Sequence, residues 1–396
     1  MCKYSHTEPK YFVMIVISPV IVLFVENENF FISQMEQDHK MDKKLKITEI
    51  AARTQLSIST VSRVLAGKAN TSQRAREQVM ACARELGVFQ GMAAGRLLLN
   101  SIVVFAPQRA FDERSDIFYY RVIQGISKAV AAHDVRLRFC ALEENDSDTN
   151  AFLSRMNEKE TEAALLLGID DPHIHDLVVD IGKPCVLINC RDQKMRLPVV
   201  APDHALIGAF AASYLFDMGH KSVMNLLCLR RYTMELRLAG IRDAWDAHNL
   251  PFSPADNLLI AENFSAAESE RIVAQWLDGL PASCLPSALL VGGDFMASGA
   301  VSALQKAGLR VPQDISVMSI DGFNLAVIQD VSLTAVHVPR DTLGEEAVHV
   351  LQQRLIRPEA PVGTLLLNGS LAVRDSVRRI RPGKRPASVQ HDGLYG

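Results

Sequence analysis

The stretch that most constrains this chain is residues 47–65, ITEIAARTQLSISTVSRVL. Thr48 can cap a short helix, a polar turn follows, and Ser57 or Ser59 can open a second helix. Two short helices joined by such a turn form a helix-turn-helix. The stretch therefore predicts a small all-α unit near the amino end.

The second predicted helix has two different faces. Val61, Val64 and Leu65 fall on one side, as residues that pack against a first helix do. The other side carries short polar groups and one guanidinium, the groups that read base edges in the major groove. The alternative is a pair of amphipathic helices inside an ordinary core. The candidate DNA-binding residues of the motif are Thr48, Ile58, Ser59, Thr60, Ser62 and Arg63.

The distribution of charge favours DNA binding. Residues 41–100 contain ten basic and four acidic side chains, which gives a local net charge of +6. The whole chain carries −3 and residues 1–40 carry −2, so residues 101–396 must carry −7. Because phosphate binding needs a local surplus of positive charge, double-stranded DNA is the expected partner of residues 41–100.

Residues 57–87, SISTVSRVLAGKANTSQRAREQVMACARELG, are similar to the amino-terminal domain of the lac-repressor (LacI/GalR) family of bacterial regulators. The similarity extends to about Ser376. The resemblance implies a helix-turn-helix headpiece at 41–89, a hinge helix or linker at 90–100, and an effector-binding and dimerisation domain at 101–377. It also implies a homodimer that binds operator DNA and represses carbohydrate genes under the control of a small sugar-like effector.

In this family the hinge helix orders on DNA and inserts a leucine between base pairs of the minor groove. By position, the resemblance implies that this leucine is Leu97, with Ala94 beside it. Gly91 and Gly95 both weaken helix formation, so ordering the hinge is expected to cost more here. The alternative is a plain linker.

After residue 100 the pattern changes to short, almost continuous apolar runs separated by helical segments such as 120–132 and 207–218. Such runs are typical of parallel strands that are buried on both faces, which predicts an α/β fold with parallel sheets. The family resemblance implies two lobes, like those of a periplasmic sugar-binding protein, with chain crossings near 200–203, 336–339 and 366–369. The runs are SIVVFAP, AALLLGI, PCVLINC, SVMNLLCL, SALLVGG and DISVMSID.

Ligands of open α/β sheets lie outside the carboxyl ends of the strands, so polar residues that end the apolar runs are candidates for an effector site. Carboxylates and a guanidinium can bind vicinal hydroxyls or an acid group, and Phe118 or Tyr119 can supply an aromatic face. The alternative for a strand-end Asp or Asn is a helix cap or a turn. The expected effector-binding residues are Asn189, Asp294 and Asp321 at strand ends, Arg237 in the family-like segment MELRLAG, and Phe118.

No catalytic motif or metal-ligand spacing accompanies these residues, so we expect neither an enzyme nor a cofactor nor a metal site. The seven cysteines contain no CxxC pair, which suits reduced thiols and a cytoplasmic protein. The competing class is a sugar receptor without gene control. That class is disfavoured because the headpiece sequence is intact.

Two terminal segments stand outside this pattern. Residues 11–25 form an apolar run that is short for a membrane span and is interrupted by Pro19. We expect residues 1–40 to be a non-native or disordered extension, with Met35 or Met41 as the true start and no membrane partner; the alternative is a membrane anchor. Residues 378–396 are expected to be a disordered basic tail. The tail lacks leucine heptads, which argues for a dimer rather than a tetramer.

Overall fold

The computed structural model describes residues 46–65, 71–86, 88, 97, 99–113, 116–131, 133, 135–281, 284–322 and 331–380. The chain divides into two compact units, Met1–Ala94 and Gly95–Gly396. The predicted extension at 1–40, Ala94 of the predicted hinge, and residues 381–396 of the predicted tail lie outside the described residues. Among the described helices, none combines the length and the apolar character that a membrane crossing requires.

The first unit contains the predicted helix-turn-helix. Residues 46–54 (α1), Ile58–Leu65 (α2) and Gln73–Glu85 (α3) are helical. Ser57 precedes α2, and its Oγ accepts a hydrogen bond from the backbone N–H of Thr60 at 3.1 Å. Thr48 lies inside α1, so the prediction that it caps this helix is wrong. Buried side chains of α1, α2 and α3 form the small core, among them Ile50, Val61, Val64 and Val79.

The second unit alternates strands and helices. Its strands are β1 (Ser101–Ala106), β2 (Arg136–Ala141), β3 (Ala163–Leu167), β4 (Cys185–Ile188), β5 (Val199–Pro202), β6 (Val223–Leu227), β7 (Leu258–Ile260), β8 (Ala288–Val291), β9 (Ser316–Asp321), β10 (Thr334–His337), β11 (Thr364–Leu367) and β12 (Ser370–Ala372). Its helices are α4 (Ile117–Ala131), α5 (Thr149–Met156), α6 (Pro172–Ile181), α7 (His204–Asp217), α8 (Tyr232–Ala247), α9 (Pro254–Asn257), α10 (Ala266–Asp278), α11 (Asp294–Lys306) and α12 (Arg340–Ile356).

The strands form two sheets with matching strand order. The first sheet runs β11-β5-β4-β3-β1-β2 and the second runs β12-β10-β9-β8-β6-β7. Every pairing is parallel except that of β12 with β10, which is antiparallel. The chain passes between the sheets after β5, after β10 and between β11 and β12. The predicted parallel α/β fold and its three crossings are therefore confirmed.

Each lobe has an apolar core on its sheet. In the first lobe, α4 and α12 pack side by side and bury Val122, Ile126, Leu343 and Ala347. In the second lobe, α7 packs in the same way along α8, where the buried Trp245 stacks edge-on against Phe216. The two lobes therefore repeat one packing scheme, a helix pair laid over a parallel sheet.

The described residues of the predicted hinge are Leu97, Leu99 and Asn100, and none of them is helical. Leu97 is only 5% exposed and belongs to the core cluster of the first lobe. A leucine in this position must leave the core before it can enter a DNA groove. The minor-groove contact of Leu97 therefore stays a prediction, and it requires a rearrangement.

The ordered body continues past the predicted start of the tail. The backbone N–H of Arg378 donates to Ser316 Oγ at 3.1 Å, and that of Ile380 donates to the Met218 carbonyl at 2.8 Å. His220 Nε2 also hydrogen-bonds to the Arg378 carbonyl at 3.0 Å. These bonds attach residues 378–380 to the second lobe, so the prediction that the disordered tail includes these three residues is wrong.

Candidate ligand cleft and DNA-facing helix

The outward face of α2 carries the predicted base-reading residues. Ile58 is 55% exposed, and Ser59, Ser62 and Arg63 are also exposed, whereas the apolar residues of the helix are buried. Arg63 donates from Nε to the Ser59 carbonyl at 3.2 Å, a bond that uses only one of its donors. Thr60 is half-buried, and its hydroxyl forms a hydrogen bond with Ser57 Oγ at 2.8 Å. Thr60 therefore contributes to the start of α2.

A cavity of about 420 Å³ lies at the carboxyl ends of strands from both sheets. This volume is within the range of small-molecule sites. All five predicted effector-binding residues line it: Phe118 and Asn189 from the first lobe, and Arg237, Asp294 and Asp321 from the second. The geometry thus brings together residues that are as much as 203 positions apart, from 118 to 321. Their role in binding an effector stays a prediction.

A chain of hydrogen bonds crosses the cleft between the lobes. Asn189 donates from Nδ2 to the Tyr119 hydroxyl at 3.3 Å and accepts at Oδ1 from His204 Nε2 at 2.8 Å. His204 Nδ1 in turn accepts from Arg237 Nη2 at 3.3 Å. Complete burial holds the pKa of His204 well below its ordinary value, with the nearby Arg237 charge acting in the same direction. His204 is therefore a neutral link, with its proton on Nε2.

Arg237 connects this chain to the end of β9. Its Nη1 donates to the Gly292 carbonyl at 2.6 Å, and its Nη2 lies 3.4 Å from Asp321 Oδ1. Arg340 donates to the backbone carbonyl of Asp321 at 2.9 Å. Burial raises the pKa of Asp321 to about 6, although the Arg237 charge opposes the shift. Asp321 also has a φ of +118°, a strained value for a non-glycine residue of the kind that gathers at binding sites.

Ion pairs join the two lobes at the same cleft. Arg230 and Arg231 follow β6, whereas Glu144 follows β2 and Asp170 follows β3. Arg230 Nη2 donates to Glu144 Oε2 at 2.7 Å, and Arg231 donates to Asp170 Oδ2 from Nε at 2.9 Å and from Nη2 at 2.7 Å. Arg231 Nη2 also donates to the Asn189 carbonyl at 2.8 Å. Each of these bonds links a second-lobe arginine to a first-lobe acceptor.

Within the first lobe, Arg109 completes the network. It donates from Nε to Asp116 Oδ2 at 2.9 Å and from Nη2 to Glu144 Oε1 at 2.6 Å. Asp116 Oδ1 accepts from the backbone N–H of Tyr119 at 3.1 Å, which fixes the start of α4. Glu144 thus meets guanidinium groups from both sides of the cleft.

Two cavity-lining residues have buried polar atoms with no hydrogen-bond partner among the described residues: Thr233 at Oγ1 and Arg237 at Nε. Unsatisfied buried polar atoms are rare in folded proteins and are expected where a ligand supplies the missing partner. Thr233 lies four residues before Arg237 on α8, so both occupy one face of the helix. That spacing is the sequence signal that could have identified Thr233.

The remaining candidates are placed as follows. Asp294 is the first residue of α11, behind the N-cap Gly293, and its Oδ1 accepts a hydrogen bond from Ser319 Oγ. Neither His337 nor Val338, at the end of β10, lines the cavity. Val338 is fully buried in the second-lobe core, and His337 Nδ1 bonds the Gly322 carbonyl at 3.2 Å. The cavity residues missed by sequence reasoning include Arg109, Asp116, His204, Arg230, Arg231 and Thr233.

A helix-turn-helix with a polar outward face, followed by two α/β lobes around a cleft, defines the class of proteins that join a DNA-binding motif to a small-molecule-binding fold. Residues 46–88 match the lacI family of bacterial regulatory proteins, and residues 212–377 match the periplasmic binding protein-like domain. The chain therefore carries a DNA-binding domain of the lacI family of bacterial regulatory proteins together with a periplasmic binding protein-like domain.

Individual relatives agree with this assignment. The chain is 28% identical over 360 residues to the HTH-type transcriptional repressor CytR of Escherichia coli K12, covering 86% of this chain and 98% of that protein. Its fold is similar to that of the transcriptional regulator CelR in complex with cellobiose (21% identity, 84% of this chain, 99% of that one, TM-score 0.61). It is equally similar to the lac repressor dimer bound to operator and the anti-inducer ONPF (23% identity, 83% and 98%, TM-score 0.61).

Proposed function

We propose that this protein is a sequence-specific DNA-binding transcriptional regulator that acts as a homodimer. In this proposal it represses carbohydrate uptake or catabolism genes, and a small sugar-like effector controls its affinity for DNA. The observation that carries the proposal is the division of α2: its apolar side is buried and its polar side, with Arg63, is exposed. A helix of this kind presents donors and acceptors that match base edges in the major groove.

The second unit supports the effector part of the proposal. Its cavity combines carboxylates, an amide and a guanidinium, the groups that bind vicinal hydroxyls. Relatives are named as a repressor, as a regulator in complex with cellobiose, and as a repressor dimer bound to operator. Phe118, Asn189, Arg237, Asp294 and Asp321 are the proposed effector-binding residues, and Thr233 is added to them because of its unpaired hydroxyl.

The same site supports binding rather than catalysis. Among the described residues that line the cavity, His204 is the only histidine; it is engaged at both ring nitrogens and is held neutral by burial. A histidine acts as a general base only through a ring nitrogen that can reach the substrate. We therefore propose that the protein works by binding and releasing ligands, without an enzymatic step.

The test of DNA reading is the variant Arg63→Ala. If Arg63 reads bases, this change lowers affinity for a specific operator by about 1–3 kcal/mol and reduces the ratio of specific to nonspecific affinity. The operator is selected from random duplexes by the full-length protein, and both affinities are measured by gel shift. An unchanged ratio with both affinities lowered would make Arg63 a phosphate contact instead.

The matched control is Arg53→Ala. Arg53 lies on α1 in the same unit, and its guanidinium is near Glu49 and Glu85, at 3.4 and 3.6 Å. Arg53→Ala removes the same charge as Arg63→Ala, but Arg53 is not on α2. The ratio of specific to nonspecific affinity should therefore stay constant. If the protein selects no duplex from the random pool while it still binds sugars, the competing class, a sugar receptor without gene control, replaces the proposal.

A further inference from the structure

The chain enters the first lobe at Asn100, and one carboxylate binds this residue twice. The backbone N–H of Asn100 donates to Glu162 Oε2 at 3.0 Å, and its side-chain Nδ2 donates to Glu162 Oε1 at 2.8 Å. Asn100 immediately precedes β1, and Glu162 immediately precedes β3, the strand beside it. Both oxygens of Glu162 therefore hold the residue at which the hinge joins the sheet.

Two backbone hydrogen bonds fix the same point. The N–H of Arg136, at the start of β2, donates to the Asn100 carbonyl at 2.7 Å, and the N–H of Glu162 donates to the Ser101 carbonyl at 3.3 Å. Hydrogen bonds to a carboxylate are stronger than those between neutral groups. The side chains of Asn100 and Glu162 are also half-buried, so water competes less for these bonds. Asn100 is thus tied to both neighbours of β1.

The residues before Asn100 are held in a different way. Leu97 and Leu99 are 5% and 4% exposed and belong to the apolar core of the first lobe. The predicted minor-groove contact of Leu97 requires this side chain to leave the core. The bonds between Asn100 and Glu162 do not involve Leu97, so they can persist when it leaves. Asn100 is therefore the fixed end of the hinge in both arrangements.

The length of the hinge makes this fixed end important for a dimer. Val88 is the last described residue of the first compact unit, and eleven residues, 89–99, separate it from Asn100. Eleven residues span at most about 36–40 Å when fully extended, and about 16 Å as an α-helix. The half-sites of a dimer lie about 34–36 Å apart, or a multiple of this distance. Because the two lengths are comparable, the position of Asn100 in each protomer limits the half-site spacings that the dimer can reach.

From these contacts we infer that Glu162 is a positioning residue that sets the half-site spacing read by the dimer. It acts through Asn100, by fixing the point at which the hinge joins the first lobe. The inference rests on the proposed function, since it requires a dimer that reads two half-sites. It adds a determinant of specificity outside the helix-turn-helix: α2 reads the bases, and the contact between Glu162 and Asn100 sets the distance between the two sequences that are read.

The first test needs no DNA. Glu162→Gln keeps the shape of the side chain but replaces one acceptor oxygen by an NH2 group, which cannot accept from Asn100. Hydrogen exchange in the full-length protein, followed in the peptide that contains Asn100, should be at least about threefold faster at this amide in the variant. The matched control is Glu160→Gln, an exposed acid two residues earlier, which should exchange at the native rate. An unchanged rate in Glu162→Gln would overturn the inference.

The second test measures the spacing preference itself. The operator that the native protein selects from random duplexes is rebuilt with its half-sites one base pair closer together or farther apart, and each affinity is measured by gel shift. One base pair moves a half-site by about 3.4 Å and turns it by about 34–36°. The native protein and Glu160→Gln should therefore lose at least about tenfold in affinity.

Glu162→Gln should lose at most about threefold, because its hinge can join the lobe over a wider range of positions. The same loss in Glu162→Gln as in the native protein would overturn the inference, as would a native protein that is indifferent to spacing. A variant that is merely less stable binds every spacing more weakly by the same factor. The ratio between spacings therefore separates positioning from a structural role.

Asn100→Ala tests whether Glu162 acts through Asn100. This change removes the Nδ2 donor, so it should also weaken the spacing preference. The double variant should then show no further change beyond Glu162→Gln, because both substitutions break one contact. Additive effects would contradict this route. If the native protein selects no operator, the proposed function fails, whereas the exchange experiment still decides whether Glu162 fixes the end of the hinge.

Discussion

At the scale of single residues, burial and neighbouring charges shift the pKa values of groups in the cleft. Asp321 illustrates this at the end of β9. Its side chain is 15% exposed and faces Arg237, while Arg340 binds its backbone carbonyl and Asp294 lies close enough to repel it. Burial and this repulsion together outweigh the arginines and raise its pKa from 3.8 to about 6. Asp321 therefore changes charge in a range where carboxylates on a protein surface are already ionised.

The raised pKa of Asp321 predicts a specific pH dependence of stability. Because the folded-state pKa is above the unfolded value, the folded state keeps a proton that the unfolded chain loses between pH 3.8 and about 6. Stability from this group is therefore present below pH 3.8 and lost as the pH rises through 6, by at most about 3 kcal/mol. The variant Asp321→Asn cannot titrate, so it should lack this loss. Urea unfolding of both proteins between pH 4 and 7 measures the difference in slope.

Asp314→Asn is the control for this experiment. Asp314 pairs with Arg310 away from the cleft, and that hydrogen-bonded arginine lowers the pKa of Asp314 to about 2. This group is therefore already ionised across the measured range, and the control should follow the native protein. If the stability of Asp321→Asn also had the pH dependence of the native protein, Asp321 would titrate as an ordinary surface acid.

The cleft residues that could be predicted from the sequence are those marked by a pattern in the residues next to them. Asn189, Asp294 and Asp321 follow apolar runs, and Arg237 sits in a family-like segment. Partners that act through the tertiary structure had no such signal. His204 follows a short strand that went unrecognised, and Glu144 lies in a loop far along the chain from the arginines of the second lobe that it meets. Charge pairing across lobes depends on the fold, so it cannot be deduced from spacing.

At the scale of elements, both lobes use glycine to bring two helices close together. A Cβ on Gly208 of α7 would lie 2.2 Å from the Arg237 carbonyl oxygen, and one on Gly240 of α8 would lie 1.8 Å from the Ala205 carbonyl oxygen. The pair α4 and α12 has the same arrangement at Gly125 and Gly344. Because these contacts are with backbone atoms, no side chain can move aside to make room. The close approach also fixes α8, the helix that carries Arg237 and Thr233.

Gly240→Ala should therefore separate α7 from α8 and lower the free energy of unfolding by about 1–3 kcal/mol, the range found for overpacked sites. Denaturant unfolding measures the loss. Gly279→Ala is the control, since a Cβ there would be 3.9 Å from its nearest neighbour and the backbone has ordinary helical angles. A loss of the same size in both variants would attribute the effect to glycine replacement in general.

The elements that could be predicted are the fully buried ones. The six apolar runs correspond to β1, β3, β4, β6, β8 and β9, whose residues are almost all buried. The edge strands β2, β7, β11 and β12 were missed, as were the short buried strands β5 and β10. β2 contains Arg136 and Arg138 and is partly exposed along its length, and β11 is exposed at three of its four positions. β2 alternates polar and apolar residues, and β7 and β11 have only three successive apolar residues, so none of these strands has the longer apolar run of a buried strand.

At the scale of the whole molecule, the cleft joins two lobes that the chain crosses three times. Ion pairs and the Tyr119–Asn189–His204–Arg237 chain span the lobes, so a ligand in the cleft contacts groups whose positions depend on lobe orientation. If lobe orientation also sets operator affinity, ligand and DNA share one equilibrium. Each must then change the other's affinity by the same factor, typically about 5 to 150-fold.

Arg237→Ala tests this coupling. Arg237 bonds His204 and Asp321 at the cleft, and it belongs to a different compact unit from α1–α3, which carry the proposed DNA contacts. The variant should therefore bind operator normally without ligand but fail to release it when the effector is added. Gel-shift titration of operator with and without ligand gives both quantities.

The control is Arg242→Ala. Arg242 is an exposed arginine of the same helix that stacks on Phe252, and its variant should keep the full response. A normal response in Arg237→Ala would remove Arg237 from the site, whereas loss of ligand-free operator binding would show that its role is structural.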